Sequence, residues 1–392
     1  MDLGFEGDFD VLLKSVNKVV HSDWIESEPR NGWVHLKKLP FKIVFANDIS
    51  KHAMAVWKSN FVPRGSDPDS YQLGSIVDFV KEHKVNGNVF PKADVVIGGF
   101  PCCDFSLSGK RLGFNSDKGH DGVRLAGSSE ENRGRLYTWM REVVGMVNPL
   151  AFVAENVDGL ASMAGVKDII ERDFSSVGAG YALAEATVFH TFRYGVPQTR
   201  SRIIFIGFRK DLLCGKPGSL AKAVMDIKPH PEPTHVDPDH AHFDEMSQLP
   251  LVTARDAFTG LVEPEMSRDL SQKHLSKANW YGKGLQGNSE VALDKPGPTI
   301  RAEHHGNIEF RRLSEEHGGN NLDELKMGLP ERRLTVRECA RLQTFPDNFK
   351  LVQMGVGGDQ AYKVVGNAVP PLFAYHLASR LAEILARLKH GV

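Results

Sequence analysis

Between Phe41 and Phe208 the chain alternates two kinds of apolar pattern, and this alternation restricts the fold more than any other feature of the sequence. Phe41 to Ala46, Ala93 to Ile97, Leu150 to Ala154 and Arg202 to Phe208 are short, rich in Val, Ile and Phe, and followed by polar or glycine-containing turns, as buried strands are. Between them Lys51 to Phe61, Arg135 to Met146 and Val166 to Val177 carry apolar residues three and four apart, the spacing of an amphipathic helix. Alternating strands and helices predict a mostly parallel, doubly wound α/β sheet covered on both faces. Such sheets keep their chemistry at the carboxyl ends of their strands.

From Lys210 to about Pro330 the pattern dissolves into polar loops, with Pro217, Pro229, Pro231, Pro233 and Pro238 followed by Gly282, Gly284, Gly287, Gly297 and Gly306. A bare linker of that length is uncommon inside a compact protein, and Trp280, Tyr281 and Phe310 predict a second, smaller, loop-rich unit. Regularity returns where Phe373, Leu377, Leu381, Ile384, Leu385 and Leu388 form the apolar stripe of a closing helix.

At 392 residues the length allows roughly two domains. Mean hydropathy is −0.29, and no apolar run approaches the ~20 residues of a spanning helix. The first residues, Met1 to Asp8, are acidic where a secretory signal would be basic and then apolar, so a soluble cytoplasmic protein is expected. Four cysteines, two of them adjacent at Cys102 and Cys103 with Cys214 and Cys339 remote, match neither a disulfide framework nor a zinc spacing. Net charge is −1, with 48 basic against 49 acidic residues, and carries no hint of a polyanionic partner. Two local clusters do: Arg200, Arg202, Arg209 and Lys210, and Arg332, Arg333, Arg337 and Arg341. Phosphate contacts need such clusters rather than a basic total, although for either one alone solvated surface arginines are the better reading.

One stretch places chemistry at a strand end. Gly99-Phe100-Pro101-Cys102-Cys103-Asp104-Phe105-Ser106 follows the run Ala93 to Ile97, so Cys102 stands where a strand meets a loop. Downstream come Glu155-Asn156-Val157, Gln198-Thr199-Arg200-Ser201-Arg202, Arg333-Leu334-Thr335 through Pro346, and Gly366-Asn367-Ala368-Val369-Pro370. Each segment is weak alone: most free cysteines are small buried hydrophobes, and alternating arginines occur on ordinary exposed edges. Together and in this order they resemble the signatures of DNA (cytosine-5) methyltransferases.

The resemblance implies a Rossmann-like, S-adenosylmethionine-dependent methyltransferase domain over residues 1–208 and 355–392, with a target-recognition domain over 209–354 between them. It implies that a Cys102 thiolate adds to carbon 6 of a cytosine, and that Glu155, on the next strand, protonates ring nitrogen 3. Arg200 and Arg202, two residues apart and so on one side of an extended segment, are assigned to the base carbonyl and a nearby phosphate, with Ser106 as a further phosphate contact. The methyl donor falls to Asp48 at its ribose hydroxyls and Ile49 at its adenine, with Phe100, Pro101, Leu136, Asn367 and Val369 completing the pocket. Two positions depart from the family pattern: Ser75 stands where an aspartate is common, and Cys103 replaces a glutamine. The family's first strand and glycine-rich loop are expected ahead of Met1. That strand is central, and without it two neighbours would lack hydrogen-bond partners.

The expected partner is double-stranded DNA carrying a specific site, with the enzyme a monomer in a bacterial restriction–modification system beside a cognate endonuclease. No metal is expected. Asp237-Pro238-Asp239-His240-Ala241-His242-Phe243-Asp244 lies in a proline-rich loop without a second ligand group at a known spacing, and His304-His305 is no better placed. Two other readings stay open: a non-catalytic DNA-binding protein that fails to bind the donor, and an RNA cytosine methyltransferase.

Overall fold

The computed structural model describes residues 1–100, 137–163, 165–214, 218–237, 244, 247–278, 281, 287–302 and 308–389. The chain opens with helix α1 (Asp2–Glu6) and a hairpin of β1 (Gly7–Leu12) and β2 (Trp33–Lys38). Then come β3 (Ala46–Asp48), α2 (Lys51–Phe61), β4 (Tyr71–Leu73), α3 (Ile76–Asn86) and β5 (Val95–Gly99). After α4 (Tyr137–Val147) follow β6 (Ala151–Val157), α5 (Val166–Ser175), β7 (Tyr181–Leu183), β8 (Thr187–His190) and β9 (Ser201–Arg209). Near the end lie α6 (Val336–Leu342), α7 (Gly358–Asn367) and the long α8 (Pro371–Lys389).

Local chemistry sets several of these boundaries. Ser50 starts α2 by accepting the Ala53 N–H at 3.2 Å, and α3 stops where Gly87 takes the left-handed backbone, φ 72°. Helix α6 opens on a capping box in which the Thr335 hydroxyl accepts the Glu338 N–H and the Glu338 carboxylate accepts the Thr335 N–H.

The predicted α/β layering is present, but the sheet is less parallel than expected. Its largest part has the order β5-β6-β9-β7, with β8 also on β9. Only β5 and β6 pair in parallel there; β9 runs antiparallel to β6, β7 and β8. Helix α5 carries the chain from β6 to β7 across one strand position, and β9 fills that position from the opposite direction. Strands β3 and β4 form a separate parallel pair. Among the described residues neither β3 nor β5 has a second strand neighbour, and β5, unlike the deeply buried β6, is only half-buried. The run from Phe41 is irregular until Ala46, so the strand begins where the expectation ended it.

One apolar cluster joins residues from both ends of the chain, including Leu3, Phe5, Ile204, Ile300, Leu334, Leu342, Val365, Phe373 and Leu385. Helix α1 packs on α8 so closely that a Cβ at Gly4 would lie 2.4 Å from the Pro371 carbonyl oxygen. Beside α8, His21 stacks on Trp24 with ring centroids 3.7 Å apart, and His376 meets Trp24 edge-on at 4.6 Å. Among the described residues no helix is long and apolar enough to cross a membrane.

Candidate active site

The parallel register of β5 and β6 sets Gly99 opposite Glu155. Glu155 lies inside β6 rather than beyond its end, and is 8 % exposed. Glycine at 99 makes room for it, since a Cβ there would stand 2.7 Å from Glu155 Oε2, well inside van der Waals contact. The other carboxylate oxygen, Oε1, lies 2.6 Å from Nε of Arg202 near the start of β9. An acid and a permanently charged, forked donor thus meet at the carboxyl end of β5, the strand that leads into Cys102.

Asn156, to which the sequence reading gave no role, is a candidate for holding the site's backbone in place. It is buried, its Nδ2 donates to the Phe100 carbonyl at 3.1 Å, and its Oδ1 accepts the Val157 N–H at 2.8 Å. It therefore ties β6 to the residue from which the Pro101-Cys102 segment departs. The available signal was an amide beside the acid in an otherwise apolar run. Phe100 itself is buried, its ring 6.3 Å from that of Tyr137. Pro101, Cys102, Cys103, Ser106 and Leu136 lie outside the described residues, as do His304, His305 and residues 238–243. Among the described residues no three His, Cys, Asp or Glu side chains are grouped to hold a metal ion.

Among the residues expected at the methyl donor, Asp48 ends β3 and is exposed, with Oδ1 accepting the Ser50 N–H at 2.7 Å. Although the residue as a whole is exposed, partial desolvation of its carboxyl raises its pKa above the ordinary value, against the pull of the Ser50 and Ile49 N–H groups. Ile49 beside it is 69 % exposed. An acceptor next to a bare apolar side chain is a donor set that suits a ribose carrying a purine. Asn367, at the end of α7, is exposed and Val369 is buried; α7 packs against α2, which begins just after Asp48. Ser75 caps α3, its Oγ accepting the Val77 N–H at 3.2 Å.

The two arginines expected on one side of a segment reach different places. Arg202 meets Glu155, whereas Arg200 is 1 % exposed and its guanidinium donates to the carbonyls of Ile300 at 3.0 Å and Gly366 at 2.9 Å. The broader idea of two phosphate-binding clusters is also corrected. Arg209 is bound to Asp211, and Lys210 donates to the Ser175 carbonyl. Arg332, Arg333, Arg337 and Arg341 are all buried. Arg332 pairs with Glu338 and Glu263, Arg337 with Asp269, and Arg341 with Asp347, while Arg333 donates to the carbonyls of Ala278, Gly287 and Ile308. Burial raises the Glu263 pKa, but Arg312 and Arg332 outweigh it and hold the carboxyl to about 2. These guanidinium groups cross-link the interior.

Comparison with known proteins gives the family. The family model for C-5 cytosine-specific DNA methylase matches residues 30–383. Type II methyltransferase M.BsuRI of Bacillus subtilis is 28 % identical, with 98 % of this chain and 77 % of the relative covered. Type II methyltransferase M.BbvI of Brevibacillus brevis is 30 % identical over 89 % of this chain and 84 % of the relative. Among solved structures, the S. pombe Dnmt2 methyltransferase superposes with a TM-score of 0.54 at 18 % identity, covering 89 % of this chain and 92 % of that one, which shows a shared fold. A match over most of the length, on a methyltransferase-type α/β fold, settles the family: the chain belongs to the C-5 cytosine-specific DNA methylases, whose methyl donor is S-adenosylmethionine.

Proposed function

We propose that this chain methylates carbon 5 of a cytosine within one specific duplex DNA sequence, as the modification half of a restriction–modification pair. The observation that carries this reading is the Glu155–Arg202 contact of 2.6 Å beside Gly99, at the end of the strand that leads into Cys102. The Type II names of the relatives support the restriction–modification context.

Carbon 5 of cytosine is a poor nucleophile until the ring loses its aromaticity, and the base must leave the helix stack to be reached. In this reading the Cys102 thiolate adds to carbon 6 while Glu155 gives a proton to nitrogen 3, leaving an enamine rich in electrons at carbon 5. Arg202 holds one oxygen of Glu155 through Nε, keeps the other beside Gly99 for the ring, and, with Nη1 donating to the Ser201 carbonyl at 2.7 Å, turns Nη2 to the base carbonyl. S-adenosylmethionine supplies an electrophilic methyl group. Carbon 5 takes that methyl group as the donor leaves as a neutral thioether; loss of the carbon 5 proton to water then expels the Cys102 sulfur as a thiolate, and return of the nitrogen 3 proton to Glu155 restores the product ring.

Asp48, Ile49, Phe100, Pro101, Leu136, Asn367 and Val369 form the donor pocket in this reading, and Ser106 meets a phosphate. The exposed parts of residues 209–354 read the sequence, since discrimination among base edges needs a surface of its own. The enzyme acts in the cytoplasm as a monomer without a metal, opposite a cognate endonuclease. Methyl transfer to duplex DNA by Cys102→Ser tests the chemistry: activity should vanish while DNA binding remains, and full activity in that variant would refute the mechanism.

A further inference from the structure

Arg200 occupies a junction that the chemistry above does not use. Its Nη1 and Nη2 groups donate to the carbonyls of Ile300, in the loop-rich part of the chain, and of Gly366, at the end of α7. Gln198, fully buried, doubles the first attachment: its Oε1 accepts the Ile300 N–H at 3.0 Å and its Nε2 donates to the Leu342 carbonyl at 3.2 Å. Thr199 N–H donates to the Gly297 carbonyl, and Gly297 N–H donates back to that of Pro197. Gln343 closes the far side by donating to the Val365 carbonyl at 2.7 Å. Residues 301–302 and Gly366 then touch backbone to backbone, where a Cβ on Gly366 would fall 2.3 Å from the Arg301 carbonyl carbon.

We infer that Arg200 is a positioning residue. It fixes the 297–302 segment and the Gly366-Asn367 corner against the strand that carries Arg202, so that the donor side and the base side are held by one guanidinium. The inference rests on the reading of Asn367 and Val369 as donor residues, and it replaces a direct contact of Arg200 with base or phosphate. The reasoning is one of desolvation. A charge that is 1 % exposed and already directed at two carbonyls cannot reach DNA without abandoning both.

Hydrogen exchange in the unaltered full-length protein tests this first. Saturating S-adenosylmethionine should slow the backbone amides of residues 297–302 as well as those of 366–369, and an effect confined to 366–369 would overturn the coupling. Arg200→Lys, which keeps the charge but replaces the fork with a single ammonium, supplies the second arm. Without any donor present, exchange should quicken in both segments together while β6 keeps its protection; unchanged exchange would equally refute the inference. Calorimetry without DNA, at a temperature where the variant is fully folded, should show donor affinity reduced by about 10-fold or more. A direct base contact would instead leave donor affinity untouched. Should the unaltered protein bind no donor at all, the donor reading fails, while the ligand-free comparison still decides the role of Arg200.

Discussion

At the scale of single residues, the site depends on an oxygen that has very little freedom. Glu155 is held by Arg202 at one oxygen and closed in by Gly99 at the other. Gly99→Ala should therefore push the carboxylate away from its working position and lower methyl transfer by about 100-fold, with DNA affinity retained; steady-state kinetics and a binding titration check this. Glu155→Gln keeps the shape and removes the transferable proton, so kcat should fall by about 100- to 10,000-fold in a protein that melts like its parent. Neither effect was legible in the sequence beyond the identity of the acid. In the sequence Gly99 only follows the run Ala93 to Ile97, and the β5–β6 register alone shows which side chain its missing Cβ would strike.

At the scale of elements, helices with local punctuation were the readable ones. Lys51–Phe61 is helical over the full expected range because Ser50 caps it and its apolar spacing is regular. The run from Phe41 was misjudged because short apolar runs take their form from whichever strand lies beside them, and β3 pairs only over Ala46–Asp48. Arginine roles were hidden for a related reason. The chain shows a guanidinium at 332, while one of its neutralising partners, Glu263, lies far away in sequence. The α6 capping box, by contrast, is local and testable. Thr335 is fully buried and also donates to Gln272 Oε1 at 2.7 Å. Thr335→Ala should cost about 1–2 kcal/mol of unfolding free energy, measured by denaturant titration.

At the scale of the whole molecule, the core carries a built-in sensitivity to acid. Burial lowers the pKa of His21 and His235 to about 4, and that of His376 well below its ordinary value of 6.5. Well above pH 6.5 these rings are neutral whether the chain is folded or not, and they add no pH dependence. Between pH 6.5 and 4 the unfolded chain takes up protons that the folded core refuses, so stability should fall steadily as pH drops through that window. Melting temperatures recorded from pH 7.5 to 4.5 should show this decline, and His21→Phe, which keeps a flat ring against Trp24, should make it shallower.

The inward-facing guanidinium groups at 332, 333, 337 and 341 also set how the enzyme responds to ionic strength. Each cation that meets a DNA phosphate displaces condensed counterions and steepens the logarithmic dependence of affinity on salt by about 0.9. Four that are committed to carboxylates and carbonyls displace none. A salt titration of duplex binding should therefore give a slope shallower, by about 3.6, than a count of every arginine in that segment would require, leaving the enzyme's grip on DNA to cations elsewhere on its surface.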